Sequence, residues 1–323
     1  MEFLCGVTLA EKIPENAPNK NRRRHTVVGI GEMLWDLLPG ARHAGGAPLN
    51  FAYICWLLGE HAFVATRTGS DDLGTELIRE MCRRELDVSC VQRDAFLPTG
   101  TAAVELSPDG QPTFEIRKPA AWDAFEWTAE WEHLALQADA ICFGTLAQRS
   151  AKSRATIRAF LQNRRPDCAV IFDANLRSPF YSPEVILNSL KMATIAKWNE
   201  AEFAEIAPMA GPTSGATAAN LQALARNFHL DLVCLTRGSR GSLLVTPTEA
   251  FDHEGFPVEI RDTIGAGDAF AAAVAHGWLA KASLERTSEI ANRCAAWVAS
   301  QAGAMPLLDA ASLDQLPSAA SPW

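Results

Sequence analysis

Several patterns that define large protein classes are missing from this 323-residue sequence. It contains no GxxxxGK[ST] loop, no HRD and DFG pair and no GxSxG elbow. A Walker-type nucleotide hydrolase is therefore excluded, and the signatures of protein kinases and elbow-type serine hydrolases are absent. Gly29-x-Gly31 resembles the start of a dinucleotide-binding fingerprint, but Leu34 occupies the third glycine position and no helical pattern follows directly. The first glycine-bearing strand therefore predicts no dinucleotide site.

Positive charge and metal-binding patterns are also scarce. The chain has 29 Lys and Arg residues against 38 Asp and Glu, a net charge of −9, which argues against a nucleic-acid partner. Its eight cysteines form no CxxC pair and its seven histidines form no HExxH motif. This distribution is typical of a reduced, cytoplasmic protein without a dedicated transition-metal site. No apolar run approaches the ~20 residues that cross a bilayer, so we expect no membrane partner.

The beginning of the chain differs from the rest. Its first ten residues contain a short apolar stretch but carry Glu2 where a signal peptide carries positive charge, and residues 11–25 are polar with two prolines. We therefore predict a flexible tail over residues 1–24 and a folded domain over residues 25–323.

An alternation of β-like and helical segments runs through the folded part. The predicted strands are 26–35, 61–69, 139–144, 168–175, 193–199, 230–236 and 241–246, and the predicted helices are 49–60, 71–86, 150–163, 183–190, one from 199–200 onward, 269–280 and 285–301. Repeated units of this kind predict an α/β fold with a mainly parallel sheet covered by helices on both faces.

Polar side chains follow several of these predicted strands. Asp36, Asn175, Asn199, Thr236 and Asp262 each come where a β-like run ends. Because ligands bind at the carboxyl ends of parallel strands in such folds, we expect these side chains to lie around one site.

Residues 100–117 interrupt the alternation. Two β-like runs flank a Pro-Asp-Gly turn signal, and no crossover helix separates them. We predict a hairpin that forms a small second sheet and serves as a lid. Since an exposed β edge can pair with its copy, we also expect a homodimer through this lid.

The segment 262–270, DTIGAGDAF, carries the strongest indication of chemistry. Three small residues, Gly265, Ala266 and Gly267, precede Asp268, and a good helix former follows. Backbone N–H groups at such a helix start can hold a phosphoryl anion, and the aspartate can orient an attacking hydroxyl. On its own, the segment also fits an ordinary helix start with an acidic first-turn residue. The helix dipole is expected to favour the charged form of Asp268, which makes it a weak base.

Three other segments offer binding groups. Gly45-Gly46 would let backbone approach a ligand closely, and residues 236–241, TRGSRG, offer a hydroxyl, glycines and guanidinium groups for nucleotide phosphates or a ribose. Asn199 and Glu202 lie one helical turn apart, where the carboxylate suits a hydrated Mg²⁺ or simply caps the helix.

Taken together and in order, the motifs GGAPLNFA, DANLR, NEAE, TRGSRG and DTIGAGDAF resemble those of the PfkB (ribokinase-like) sugar kinases, over residues 26–308. Within that family, GEMLWDLLP, FGTLAQR and FDANLR look most like bacterial fructokinases. The resemblance implies a ribokinase-like three-layer α/β/α domain over residues 25–323. It also implies a small β-sheet lid from segments of about 33–48 and 98–118.

The resemblance also implies roles for individual residues. Asp268 would be the catalytic base, and the backbone of Gly265, Ala266 and Gly267 would form the anion hole. The sugar would be held by Asp36, Gly45, Gly46, Asn50 and Arg177. Gln148 is a further candidate for a sugar contact, although it fits a packing role equally well. The nucleotide would be lined by Asn199, Thr236, Arg237, Gly238, Ser239, Arg240, Gly241 and Asn292. Glu202 would act on Mg²⁺ through water, and a K⁺ site would use Asp262, Ile264, Val298, Gln301 and Gly303.

The implied activity is ATP-dependent phosphorylation of D-fructose to D-fructose 6-phosphate, with ATP, Mg²⁺ and K⁺ as cofactors. Three alternatives stay open: a 2-keto-3-deoxygluconate kinase, a nucleoside or ribose kinase, and a non-catalytic sugar-sensing subunit on the same fold. Pro48-Leu49 replaces the Lys-Gly of the ribokinase-type motif, which disfavours ribose.

Overall fold

The computed structural model describes residues 24–38, 40–106, 112–211 and 215–306. The predicted tail therefore lies outside the described residues except for Arg24, as does the turn of the predicted hairpin. Within the described ranges, no helix is both long and apolar enough to cross a membrane.

The strands are β1 (Thr26–Ile30), β2 (Leu34–Leu38), β3 (Ala41–Gly45), β4 (His61–Gly69), β5 (Val91–Asp94), β6 (Gly100–Leu106), β7 (Pro112–Ile116), β8 (Ala140–Phe143), β9 (Ala169–Asp173), β10 (Ile195–Asn199), β11 (Leu232–Thr236), β12 (Ser242–Val245) and β13 (Ala250–His253). The α-helices are α1 (Ala47–Leu57), α2 (Asp72–Arg83), α3 (Ala129–Gln137), α4 (Ala151–Gln162), α5 (Pro183–Met192), α6 (Glu200–Ala210), α7 (Ala218–Phe228), α8 (Ala266–Leu279) and α9 (Leu284–Ala299).

A nine-stranded sheet forms the middle of the molecule, in the order β13-β12-β11-β10-β9-β8-β1-β4-β5. Its strands are parallel except that β12 and β13 are antiparallel to their neighbours. Alternate side chains of the strands enter two separate cores, one beneath α3–α7 and the other beneath α1, α2, α8 and α9. This arrangement confirms the predicted three-layer α/β/α fold, and it explains why strands such as β9, AVIFD, are apolar on both faces.

A four-stranded sheet, in the order β3-β2-β6-β7, lies beside the large one. β6 and β7 are antiparallel, which confirms the predicted hairpin, and β2 joins β6 in parallel. The small sheet is fastened to the main domain where the Trp35 indole donates a hydrogen bond to the Leu73 carbonyl, 3.0 Å away. Its strands fall within the two segments expected to form the lid.

The first predicted strand, 26–35, is wrong in its extent. The chain bends at Gly31, so β1 ends at Ile30 and Asp36 lies in the middle of β2, opposite His43. The bend arises because α1 begins directly against this point. A Cβ at Gly29 would lie 2.1 Å from the carbonyl oxygen of Pro48. The glycine pair that resembled a nucleotide fingerprint therefore serves close packing of α1 on β1.

Four elements had no prediction: β5, α3, α7 and β13. In addition, Asp262 does not follow a strand, because residues 254–265 contain no regular strand. Gly255 has a φ of 83° and Pro257 has no N–H to donate, so this segment cannot continue a ladder.

Candidate active site

A cavity of about 880 Å³ lies between the small sheet and the carboxyl ends of β10 and β11. Its volume suits a substrate together with a cofactor. The small sheet contributes Leu34, Asp36, Ala102 and Ile116, and the segment that leads into α8 contributes Thr263 to Asp268. The cavity therefore lies between the carboxyl ends of the parallel strands and the small sheet.

The turn that opens α8 depends on a glycine. Gly265 has a φ of 81°, and a Cβ there would lie 2.4 Å from the Cβ of Ala304. The α8 N-terminus has no side-chain cap, and the Ala266 N–H makes a long bond of 3.3 Å to the Thr263 carbonyl. The first-turn N–H groups therefore border the cavity, where an anion can accept their hydrogen bonds.

Asp268 stands in the first turn of α8 and is buried. Asn50 donates from Nδ2 to its Oδ2 at 2.7 Å, which joins α1 to α8 across the cavity. Burial raises the pKa of Asp268, although Lys197 and the Asn50 hydrogen bond oppose the shift. The net shift is opposite to the one expected from the helix terminus alone, because desolvation of the carboxylate outweighs the contacts that favour its charge.

A buried ion pair lies directly behind this turn. Lys197 donates from Nζ to both carboxylate oxygens of Asp173, at 2.9 and 3.0 Å. Burial disfavours the ammonium, but the charges of Asp173, Glu202 and Asp268 outweigh burial and raise the pKa of Lys197. Lys197 lines the cavity, although it was not among the predicted site residues.

Two carboxyl groups line the cavity at the small-sheet end. Glu32 is buried, and its Oε2 has no hydrogen-bond partner among the described residues. Burial raises the pKa of Glu32 to about 7, with a further contribution from Asp268. Burial also raises the pKa of Asp36 to about 6, against the opposing charge of Arg177. Near neutral pH Glu32 is therefore partly protonated and Asp36 is mostly ionised, and both carboxyl groups can exchange hydrogen bonds with hydroxyl groups.

The predicted glycine pair fits beneath these two carboxyl groups. A Cβ at Gly45 would lie 2.3 Å from Oδ2 of Asp36, and one at Gly46 would lie 2.5 Å from the carbonyl oxygen of Glu32. Gly46 lines the cavity directly. A larger residue at Gly45 would collide with the Asp36 carboxylate, and one at Gly46 would collide with the backbone of Glu32.

The predicted nucleotide residues divide into two groups. Asn199, Thr236, Gly238, Ser239, Gly241 and Asn292 line the cavity. The two arginines of this loop do not line it. Arg237 donates to Asp252 at 3.0 Å and to the His253 carbonyl, and Arg240 forms an ion pair with Glu200. Both guanidinium groups are therefore bound to neighbouring acceptors outside the cavity, which differs from the predicted position beside the nucleotide.

Asn199 and Glu202 form a capping box at the start of α6. Glu202 accepts from the N–H groups of Asn199 at 2.8 Å and Leu176 at 2.9 Å. Mg²⁺ keeps most of its waters and is held largely by substrate phosphates. A carboxylate fixed at the cavity wall in this way fits the water-mediated role predicted for Glu202.

The predicted K⁺ residues come together next to the cavity, and Ile264 is the one of them that lines it. Asp262 accepts from the N–H of Ile264 at 2.9 Å and from that of Gly303 at 3.1 Å, and the Gln301 N–H donates to the Val298 carbonyl at 2.9 Å. Among the described residues, no cluster of three or more His, Cys, Asp or Glu side chains is suited to hold a metal. Any monovalent ion here would therefore rely on carbonyl oxygens together with the Asp262 carboxylate.

Gln148 is not brought to the site. Its amide is buried and donates to the Gly144 carbonyl at 2.8 Å and to Ser189 Oγ at 2.9 Å. The predicted sugar contact is therefore a core residue that fixes the turn after β8. Arg177, by contrast, is exposed and lines the cavity together with Asn175.

Sequence reasoning missed Glu32 and Lys197 as site residues, and it did not predict that Lys197 pairs with Asp173. A weak signal for the pair exists, since a lysine in the apolar run ATIAKWN needs a buried partner. Nothing local marks Asp173 as that partner, because the two residues face each other only across paired strands. Glu32 gives no such signal, since it follows a glycine-rich strand end where charge is common.

Comparison with known proteins places this site in context. The family model described as pfkB family carbohydrate kinase matches residues 40–311. A fructokinase of Escherichia coli is 27% identical over 304 residues, which are 86% of this chain and 94% of that protein. An aminoimidazole riboside kinase of Salmonella typhimurium is also 27% identical, over 86% of this chain and 90% of its own length.

Solved structures show the same fold. A sugar kinase of Pyrococcus horikoshii, solved in complex with ATP, has a TM-score of 0.74 and 26% sequence identity to this chain, covering 87% of this chain and 93% of its own.

Proposed function

The chain belongs to the pfkB family of carbohydrate kinases and is a sugar kinase, and on this premise we propose that it phosphorylates D-fructose. The γ-phosphoryl group of ATP is transferred to a primary hydroxyl, and the products are D-fructose 6-phosphate and ADP. One observation carries the proposal: the Asp268 carboxylate, bonded to Asn50 at 2.7 Å, stands at the anion-binding turn of α8. The cavity has the small sheet on one side and the predicted nucleotide loop on the other.

The residues of the turn divide the work of transfer. Asp268 accepts the proton of the attacking hydroxyl and orients that oxygen toward the phosphorus, while the backbone of Gly265, Ala266 and Gly267 donates hydrogen bonds to the transferred group. In a loose transition state the proton leaves late, so Asp268 first orients the hydroxyl and then accepts its proton. Burial raises the pKa of Asp268, so its carboxylate binds a proton more tightly than an ordinary aspartate does.

We assign the nucleotide and the cations to the wall of the cavity opposite the small sheet. Asn199, Thr236, Gly241 and Asn292 line the part of the cavity proposed for ATP. Mg²⁺ bound to the phosphates would neutralise their charge when present, and Glu202 would hold its waters. The group around Asp262 is proposed as a K⁺ site that stabilises the turn before α8.

A neutral sugar is favoured by the charge of the small-sheet end. Glu32 and Asp36 present carboxyl groups there, which suit hydroxyl hydrogen bonds and would repel the carboxylate of a sugar acid. One observation supports 2-keto-3-deoxygluconate as a second candidate substrate. The exposed guanidinium of Arg177 also lines this end and can hold a carboxylate.

A panel of substrates tests the proposal. Purified full-length chain is assayed for ADP release with ATP and Mg²⁺ against fructose, tagatose, ribose, 2-keto-3-deoxygluconate and adenosine, each with and without K⁺. The largest kcat/KM is expected for fructose, with stimulation by K⁺. Preference for the sugar acid that Arg177→Met abolishes would instead establish the second candidate. ADP release that no member of the panel raises above the sugar-free rate would refute catalysis and favour the sugar-sensing alternative.

The small sheet also supports the proposed homodimer. β3 is an edge strand of that sheet, and Ala41, Arg42 and His43 on it are exposed. Because an edge strand offers free backbone groups to a second copy, we propose pairing through the lid. Light scattering after gel filtration should give twice the mass of 35.0 kDa, and a monomer at micromolar concentration would contradict this.

A further inference from the structure

We propose that the Lys197–Asp173 ion pair is a positioning dyad, which fixes an ammonium group beneath the turn at 265–267 and keeps Asp268 in its charged, proton-accepting form. The proposal rests on the function proposed above and adds to it two residues that bind neither sugar nor nucleotide in that account. Lys197 acts on the transferred group and on Asp268 through its charge, while Asp173 holds Lys197 in place.

The pairing of the strands builds the dyad. Lys197 on β10 and Asp173 on β9 are direct partners in the parallel ladder. Nζ of Lys197 lies 2.9 and 3.0 Å from the two oxygens of Asp173, and both side chains are buried. The Ala174 N–H donates to the Lys197 carbonyl at 3.0 Å, which fixes the backbone on both sides. The ammonium therefore has little freedom to move away.

The turn at α8 rests directly on this ammonium. A Cβ at Gly267 would lie 2.9 Å from Nζ of Lys197, so the absent side chain leaves the room that the ammonium occupies. The positive charge thus sits against the same backbone that is proposed to hold the transferred phosphoryl group. Because it is fixed before the reaction, it requires no reorganisation as negative charge develops.

Stability alone gives little reason for such a pair. Desolvating two charges costs several kcal/mol, and apolar residues of similar size are often as stable in the same place. A buried pair on the wall of a proposed active cavity is better explained by electrostatics at that site.

The charges around Asp268 make Lys197 important for its protonation. The titratable groups that interact with it from the surrounding elements are Glu32, Asp36, Cys142, Asp173, Arg177, Lys197 and Glu202. After burial, Lys197 has the largest effect on the pKa of Asp268, and it lowers that pKa. Arg177, the other cation that lines the cavity among the described residues, is exposed to solvent and is therefore screened.

The first experiment measures kcat against pH for Lys197→Met and Lys197→Arg. Loss of the charge is expected to lower kcat about tenfold or more and to move the acidic limb of the profile to higher pH by about one unit. The KM values for sugar and ATP should change less than about threefold. Lys197→Arg retains the charge and should restore the acidic limb. A purely structural role would lower the unfolding temperature and leave that limb unmoved.

A matched control is available on the opposite edge of the sheet. Arg165 pairs with Asp139 at 2.9 Å and with Asp167 at 3.0 Å, near the amino ends of β8 and β9, so Arg165→Met removes ion pairs of similar length away from the cavity. Its pH profile should match that of the wild type. An unchanged acidic limb in Lys197→Met, or an equal shift in Arg165→Met, would overturn the dyad.

A binding measurement needs no turnover and separates the two proposals. Calorimetry with ADP, Mg²⁺ and aluminium fluoride, without sugar, should show about tenfold weaker binding to Lys197→Met, while ADP alone binds within about threefold of the wild type. If the wild type turns over no sugar but this difference appears, the proposed function fails and the dyad stands. If wild-type turnover is normal and the difference is absent, the dyad fails and the proposed function stands.

Discussion

Replacing Asp268 by asparagine should remove turnover while leaving the cavity assembled. Asn50 donates to Oδ2 of Asp268 at 2.7 Å, and the asparagine carbonyl oxygen can accept the same hydrogen bond. The substitution therefore keeps the geometry and removes the group that accepts a proton. General-base loss lowers kcat by about 10²- to 10⁴-fold, equivalent to about 3–5 kcal/mol in the activation barrier.

Folding should not suffer from this change. Because burial raises the pKa of Asp268, its carboxylate carries a desolvation cost that the neutral amide lacks. The unfolding temperature of Asp268→Asn at neutral pH should therefore equal or exceed that of the wild type. Loss of function without loss of stability would distinguish a catalytic from a structural aspartate.

The assay is coupled ADP release with fructose, together with calorimetric binding of ATP and fructose. Binding should stay within about threefold of the wild type. Asp72→Asn is the matched control, because Asp72 is also an acidic first-turn residue but lies exposed on α2. A kcat for Asp268→Asn within about threefold of the wild type would refute the assignment of the proton acceptor.

Three further predictions concern packing, protonation and the nucleotide loop. Gly265→Ala should lower the free energy of unfolding by about 2–5 kcal/mol in chemical denaturation, because its φ of 81° and the 2.4 Å approach to Ala304 both oppose a Cβ; an unchanged denaturation midpoint would contradict this. The raised pKa of Glu32 makes the folded state bind a proton more tightly, so its stabilising contribution is complete below about pH 4.5 and is lost as pH rises to about 7. Between about pH 4.5 and 7, Glu32→Gln should therefore reduce the change in the free energy of unfolding by about 3 kcal/mol. Equal slopes of unfolding temperature against pH for the variant and the wild type would contradict this. Arg240→Ala should leave the KM for ATP within about twofold, because Arg240 pairs with Glu200 outside the cavity; a tenfold rise would restore the original prediction.

Short-range patterns were enough to predict much of the fold. Apolar runs separated by amphipathic helices predicted the parallel sheet, and the Pro-Asp-Gly signal predicted the β6–β7 hairpin. The extent of the first strand was wrong, because the bend at Gly31 is imposed by Pro48 from the start of α1. Such a contact depends on how two elements pack, and no local pattern expresses it.

The candidate site shows the same contrast between local sequence patterns and tertiary packing. The sequence by itself determined the glycine turn and the position of Asp268 after it, because both depend on neighbouring residues along the chain. Only the tertiary structure decided that Asn50 and Lys197 surround Asp268, that Arg240 turns away, and that the pKa of Asp268 rises. Burial and charge act through space, so residues far apart in sequence set the protonation of one carboxylate.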